Sequence, residues 1–224
     1  TIFTSNRHIY DDVFNAWVAD ATENGSRLVL GQHGGHYGIS KFPSFAERHE
    51  QSISDTYLTW GWRPSTSALG GIILTTVGSG RKQKKNRSRV LLVTDELWSH
   101  PRSVYIDISE TSNYLDHLGL LAKSLPSTIQ QSLELRRHLG QRVVGHPVES
   151  WWLNQLPTID MGDSSIPFSK IVKNAKLVIV AHNGTTIPEN FSRGIPTLIT
   201  WTANWVEIRD EAKPIFAKLA EVGI

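Results

Sequence analysis

Among the uninterrupted apolar runs along the chain are Leu28-Val29-Leu30, Val90-Leu91-Leu92-Val93 and Leu177-Val178-Ile179-Val180. Runs this short and rich in branched side chains read as strands. Their lack of alternation predicts strands covered on both faces, as in a parallel sheet. Between the runs, apolar positions recur at helical spacing. Val13, Phe14, Trp17, Val18 and Ala21 mark a helix over residues 11–24, with Asp11 and Asp12 suited to its positive end and Gly25 to its stop. The same reading gives an extended segment at 1–5, a strand at 27–30, a helix at 42–54 and a strand at 56–60. Further on it gives a strand at 90–93, helices at 112–124 and 127–139, a strand at 142–144, a short helix at 168–173 and a strand at 177–180. A helix at 186–192, a strand at 196–200 and a closing amphipathic helix at 205–222 complete it. Strands alternating with helices imply an α/β fold with parallel sheets and helices on both faces.

Residues 63–88 interrupt this alternation. They are rich in Gly, Ser, Thr and Pro and lead into a basic run at 81–89, which predicts a boundary between two α/β halves. The run reads either as a solvated loop or as a contact for an anionic partner. No aromatic residue is interleaved in it, which speaks against nucleic acid. The net charge of +2 adds little about partners. At 224 residues, with 39% hydrophobic and 20% charged, the chain suits one large or two small globular domains rather than a disordered segment. No apolar run approaches the ~20 residues of a membrane span. The absence of cysteine excludes disulfides and thiolate metal sites and suits a reducing cytoplasm. Eight tryptophans, several near turns, serve either ligand stacking or packing. The chain opens on Thr1 in an already strand-like segment, so an upstream part is expected.

The candidate chemistry follows the strands. The run at 27–30 enters Gly31-Gln32-His33-Gly34-Gly35-His36-Tyr37-Gly38. Paired glycines let the backbone approach a ligand, and an imidazole moves protons near neutral pH. The alternative is a tight turn with a solvated histidine. The strand at 177–180 enters Asn183-Gly184-Thr185-Thr186-Ile187-Pro188-Glu189. A glycine, two hydroxyls and a helix start make a candidate phosphate site. Thr186 and Glu189 also fit a capping box, in which case the turn is a capped helix that binds nothing. His146-Pro147 would aim an imidazole along the same sheet edge. His33, His36 and His49 do not form a recognisable zinc pattern, and no Gly-x-Ser-x-Gly elbow is present.

Taken in order, several of these elements resemble the transferases of bacterial O-antigen and surface-polysaccharide loci. They are Gly31-Gln32-His33-Gly34-Gly35, Tyr37-Gly38, Glu50 with Ile53-Ser54-Asp55, and Thr59-Trp60-Gly61-Trp62. Asn183-x-Thr185-Thr186-x-x-Glu189, Ile195-Pro196-Thr197, Trp201 and Arg209-Asp210-Glu211-Ala212-Lys213-Pro214 extend the match to the C-terminus. The pattern is more distantly similar to capsule Kdo transferases and other GT-B glycosyltransferases. The resemblance implies two Rossmann-like, GT-B-type halves with a nucleotide-sugar between them, the N-terminal half incomplete. Residues 1–70 would be the end of the first domain, 71–89 a basic linker and 90–224 the nucleotide-sugar-binding domain.

The expected function is transfer of a sugar from a nucleotide-activated donor, CMP-linked by preference, to a surface glycan or lipid-linked acceptor. The alternative is a fragment that binds a nucleotide or anionic glycan without turnover. His33, Glu50 and Asp55 are the candidates for proton transfer. Gly34, Gly35, His146, Asn183, Gly184, Thr185, Thr186 and Glu189 are the candidates for nucleotide and phosphate contact. No metal or other cofactor and no nucleic acid is expected. The expected location is the cytoplasm, with residues 81–89 able to meet the inner face of a membrane.

Overall fold

Two four-stranded sheets, each wholly parallel, carry the fold. The computed structural model describes residues 1–71, 73, 87–97, 108–137, 147–163 and 165–224. In the first half β1 (Ile2–Thr4), β2 (Leu28–Gly31), β3 (Thr56–Thr59) and β4 (Ala68–Gly70) lie side by side in chain order. The short α1 (Arg7–Tyr10) leads into α2 (Asp12–Glu23), and α3 (Phe45–Ile53) connects β2 to β3. Asp11 caps α2 by accepting a hydrogen bond from the Phe14 amide at 2.8 Å. Gly25, at φ 87°, turns the chain out of it.

The second half holds β5 (Arg89–Val93), β6 (Leu133–Arg136), β7 (Ala175–Val180) and β8 (Thr197–Ile199), in the order β6-β5-β7-β8. Its helices are α4 (Thr111–Ser124), α5 (Ser127–Gln130), α6 (Pro147–Gln155), α7 (Phe168–Ile171), α8 (Thr186–Ser192) and α9 (Lys213–Glu221). Consecutive β5 side chains go to opposite faces. Val90 and Leu92 join a cluster with Leu118, Leu133 and Trp152, while Leu91 and Val93 join Val178, Val180 and Ile187. This double burial is why the run shows no alternation. Both sheets have a Rossmann-like pattern of parallel strands, joined by helical crossovers except between β3 and β4, whose connection carries no helix.

Four expectations are corrected. The helix expected over 127–139 stops at Gln130, and Leu133-Glu134-Leu135-Arg136 is strand β6 instead. Glu134 and Arg136 are as buried as the leucines because the protein supplies partners: Arg89 binds Glu134, and Arg136 donates to the Asp163 carbonyl at 3.0 Å. The closing helix spans only Lys213–Glu221, because Pro214 can occupy a helix start but not its interior. The helix over 42–54 begins at Phe45, capped by the Ser44 hydroxyl, which accepts from the Glu47 amide at 3.2 Å. No Thr186–Glu189 capping box forms: Thr186 is the first residue of α8, and its N-cap Thr185 makes no side-chain cap. Three helices or strands were not expected, α1, α6 and β4, the last within the stretch read as a boundary. The strand expected at 142–144 lies outside the described residues, as do His146 and the basic residues 81–86. Arg89, at the end of that basic run, is committed to Glu134 and to Asp160, the latter at 3.0 Å. Among the described residues no helix is long and apolar enough to cross a membrane.

Candidate active site at the junction of the two sheets

The carboxyl end of β2 opens into the Gly/His turn, and Gln32 ties that turn to its neighbour. Gln32 is 1% exposed, and both the nitrogen and the oxygen of its amide are hydrogen-bonded. Its Nε2 donates to the Gly34 carbonyl at 2.7 Å. Its Oε1 accepts from the Trp60 amide at 2.9 Å and from the Trp62 indole at 2.8 Å. One side chain therefore sets both the Gln-His-Gly-Gly and the Trp-Gly-Trp turns. Gly38, at φ 74°, completes the arrangement, because a Cβ there would overlap the Trp62 ring.

Beneath this turn, α3 presents Glu47 and Glu50 inward, three residues apart and so on one helix face. A buried carboxylate needs partners, and Glu50, with no side-chain exposure, has four. Tyr57 donates to Oε2 at 2.8 Å. Around Oε1 lie His33 Nδ1 at 3.1 Å, His8 Nε2 at 3.3 Å and the Tyr37 hydroxyl at 3.3 Å. Burial pushes the Glu50 carboxyl up, but the bonds from His33, His8 and Tyr57 outweigh it and hold it below its ordinary range. Burial, reinforced by the Glu50 charge, pushes the Tyr37 and Tyr57 hydroxyls far above theirs. His36 is lowered to about 4, by burial first and then by the neighbouring His33, and is neutral near pH 7. Glu47 is raised by burial, and its bond from Arg209 at 2.8 Å only partly offsets this.

The second half meets this turn through the loop after β7. The Gly35 amide donates to the Thr185 hydroxyl at 3.2 Å, and Asn183 Nδ2 donates to the Ser40 hydroxyl at 2.7 Å. A Cβ on Gly35 would overlap the backbone at Gly184 and Thr185, so the paired glycines serve a close approach of the two halves. Residues 207–209 also return to the first half. Ser40 and Ile208 form an antiparallel bridge. Arg209 donates to the Ser40 carbonyl at 2.9 Å and to Glu47, with its guanidinium 5.3 Å from the centre of the Trp62 ring.

Between these elements lies a cavity of about 720 Å³. Its walls include Trp60, Trp62 and Arg63 from the first half, Ile187 and Phe191 from α8, and Phe216 from α9. The size and the mostly apolar lining with a few polar groups are those of a small-molecule site. Gln32 and Gly35 reach it, and His33 sits on the turn between them with Nδ1 toward Glu50 and 31% of its side chain exposed. Among the described residues, side chains of the protein itself occupy the order reversal between β5 and β7, the usual ligand crevice of a doubly wound sheet. There Tyr114, fully buried, accepts from the Asp95 amide and donates to the Ala181 carbonyl, both at 2.9 Å. Trp205 stacks on Tyr114 at 4.2 Å.

Of the residues singled out in the sequence, the structure brings His33 and Glu50 into contact. Gly34, Gly35, Asn183, Gly184 and Thr185 gather at the junction, and Thr186 opens α8. Asp55 is not among them. It lies at the opposite, amino edge of the sheet, where its carboxylate accepts from the Leu28 amide at 2.7 Å. Glu189 faces Arg193 at 3.8 Å along α8. Sequence reasoning missed His8, Glu47, Tyr57 and Arg209 as site residues. Glu47 had a readable signal, its three-residue spacing from Glu50, and Arg209 stood in a quoted motif. Among the described residues no group of three His, Asp or Glu is arranged to hold a metal ion.

Comparison with known proteins agrees with a catalytic reading. The profile of the LIC12162 family transferase matches residues 1–224, and the chain belongs to that family. No curated protein and no solved structure matches it.

Proposed function

We propose that this member of a transferase family moves a sugar from a nucleotide-activated donor to a surface glycan or lipid-linked acceptor, at the junction of its two sheets. The observation that carries the reading is convergence. The carboxyl ends of β2, β3 and β7, from two separate parallel sheets, meet beside one cavity of about 720 Å³, and carboxyl ends are where α/β sheets take their ligands. The aromatic and apolar walls suit a nucleobase and a sugar ring. The filled crevice between β5 and β7 directs the donor to the junction instead. Proton transfer falls to His33, the exposed member of the Glu50 cluster, and not to Asp55 on the far edge. The turn at Asn183–Thr186 contributes to phosphate binding from the second half. A CMP-linked donor is favoured, as in the capsule transferases that the motifs resemble.

The test is calorimetric titration of the full chain with CMP, UDP and GDP, followed by nucleotide release from the corresponding sugar nucleotides. Saturable binding of one nucleotide, weakened by Trp60→Ala, is expected. Binding without release under any acceptor would favour a non-catalytic nucleotide-binding protein. No binding of any of the three would overturn the reading.

A further inference from the structure

The cluster around Glu50 contains five ionisable side chains but only one exit to solvent. Glu50 has no exposure, His8 has 3% of its side chain exposed, Tyr57 is 1% exposed and Tyr37 2%. Only His33, at 31%, reaches the surface. Both Glu50 oxygens are occupied, so this carboxylate cannot itself meet a substrate proton. An ionised carboxylate accepts hydrogen bonds only, so the imidazole nitrogen facing it at 3.1 Å carries the proton.

We infer that Glu50 is a positioning residue that acts through His33: it fixes the ring with the proton on Nδ1, and Nε2, whose long 3.4 Å contact with the Tyr37 hydroxyl would give way, is the atom that meets substrate. The inference rests on the junction being the transfer site. In the transfer step the acceptor O–H bond breaks and its proton goes to His33 Nε2. The oxygen's electron pair forms the new bond to the sugar's anomeric carbon. The bond from that carbon to the donor phosphate oxygen breaks, and the nucleotide leaves with its electrons. The imidazolium so formed lies against a carboxylate already ionised and already held, so no protein group reorganises as the charge appears. The proton then passes to solvent along the exposed edge of the ring. Tyr57, on Oε2, keeps the carboxylate from turning. His8 Nε2 lies 3.3 Å from the same Oε1, buried away from solvent and near enough to act on the carboxylate by its charge when protonated.

Nitrogen-15 spectra of the full chain labelled at histidine test this, with His33 assigned by His33→Asn. The neutral wild-type ring is expected in the Nδ1–H form. Glu50→Leu, which removes the acceptor, is expected to shift it to Nε2–H, and Glu50→Gln, which keeps an acceptor oxygen, to restore part of the Nδ1–H form. Nucleotide release from CMP-, UDP- or GDP-linked sugars is expected to fall in kcat by about 10²-fold in Glu50→Leu, with KM little changed. A wild-type ring in the Nε2–H form, or an unchanged tautomer in folded Glu50→Leu, overturns the inference. If neither variant folds, the wild-type tautomer alone decides. Absence of nucleotide release from every sugar nucleotide would count against sugar transfer, while the tautomer would still report on Glu50.

Discussion

The two halves share a topology class but spend their interiors differently. The second sheet is coated on both faces by apolar clusters that run from Val90 to Val206 and from Leu91 to Ile195. The first has one small apolar cluster, Val18, Leu28, Leu30, Tyr37 and Tyr57, beside buried His8, Gln32, Glu47 and Glu50. Buried charge lowers stability unless it is fully partnered. The second half buries charge too, in Glu134 and Arg136, but Arg89 and Asp163 tie these down along β6, whereas the buried charges of the first half gather beneath the Gly/His turn where the transfer is proposed.

Four measurements sharpen or break this contrast, taken from the largest effect down. Trp152, with no exposure, anchors the second half, and Trp152→Ala should lower unfolding free energy by about 4 kcal/mol in chemical denaturation. A loss under 1 kcal/mol would mean that the second half is not the stability anchor. Next is acid. His36 titrates at about 4 in the folded protein against 6.5 ordinarily, so the unfolded chain takes up the proton first. Stability contributed by this group is complete above 6.5 and disappears as pH falls from 6.5 to 4, about 3 kcal/mol at most. His36→Gln should flatten urea midpoints over that window, and an equally steep wild-type and variant profile would relocate the acid sensitivity.

His33→Ala should lower turnover per folded molecule by about 10²-fold, equivalent to about 2.7 kcal/mol of barrier, and should also lower the melting temperature, because buried Glu50 loses one of its four partners. Early unfolding with intact turnover per folded molecule would make His33 a structural turn residue. The smallest effect is across the junction. Thr185→Val removes one neutral hydrogen bond, that from the Gly35 amide, and should cost about 1 kcal/mol of stability. Nucleotide binding should weaken with it, since the same turn is proposed to contribute to phosphate binding, and an unchanged stability would mean that this bond does not help hold the two halves together.

The contrast also explains what was legible beforehand. The strands at 28–30, 90–93 and 177–180 were readable because burial on both faces leaves a continuous apolar signature. β6 was not, because Glu134 and Arg136 are buried by partners, Arg89 and Asp163, that only the folded chain supplies. His33 stood out among glycines. Glu50 and Asp55 could not be ranked, since what separates them is the end of the sheet each occupies, and five residues of sequence do not encode that. His8 was invisible because it lies on a four-residue helix with no periodicity to read.

The return of residues 207–209 to the first half has a consequence for dissection. The Lys41 amide donates to the Glu207 carbonyl at 2.8 Å and the Arg209 amide to the Ile39 carbonyl at 2.9 Å, so the last part of the chain pins the loop between β2 and α3 of the first half. Cutting the gene between β4 and β5 would not yield two autonomous modules. The amino-terminal piece would lack the segment that bridges residues 39–41 and the arginine that pairs with Glu47. The two pieces would recover their native form by fragment complementation, each acting as the other's folding template.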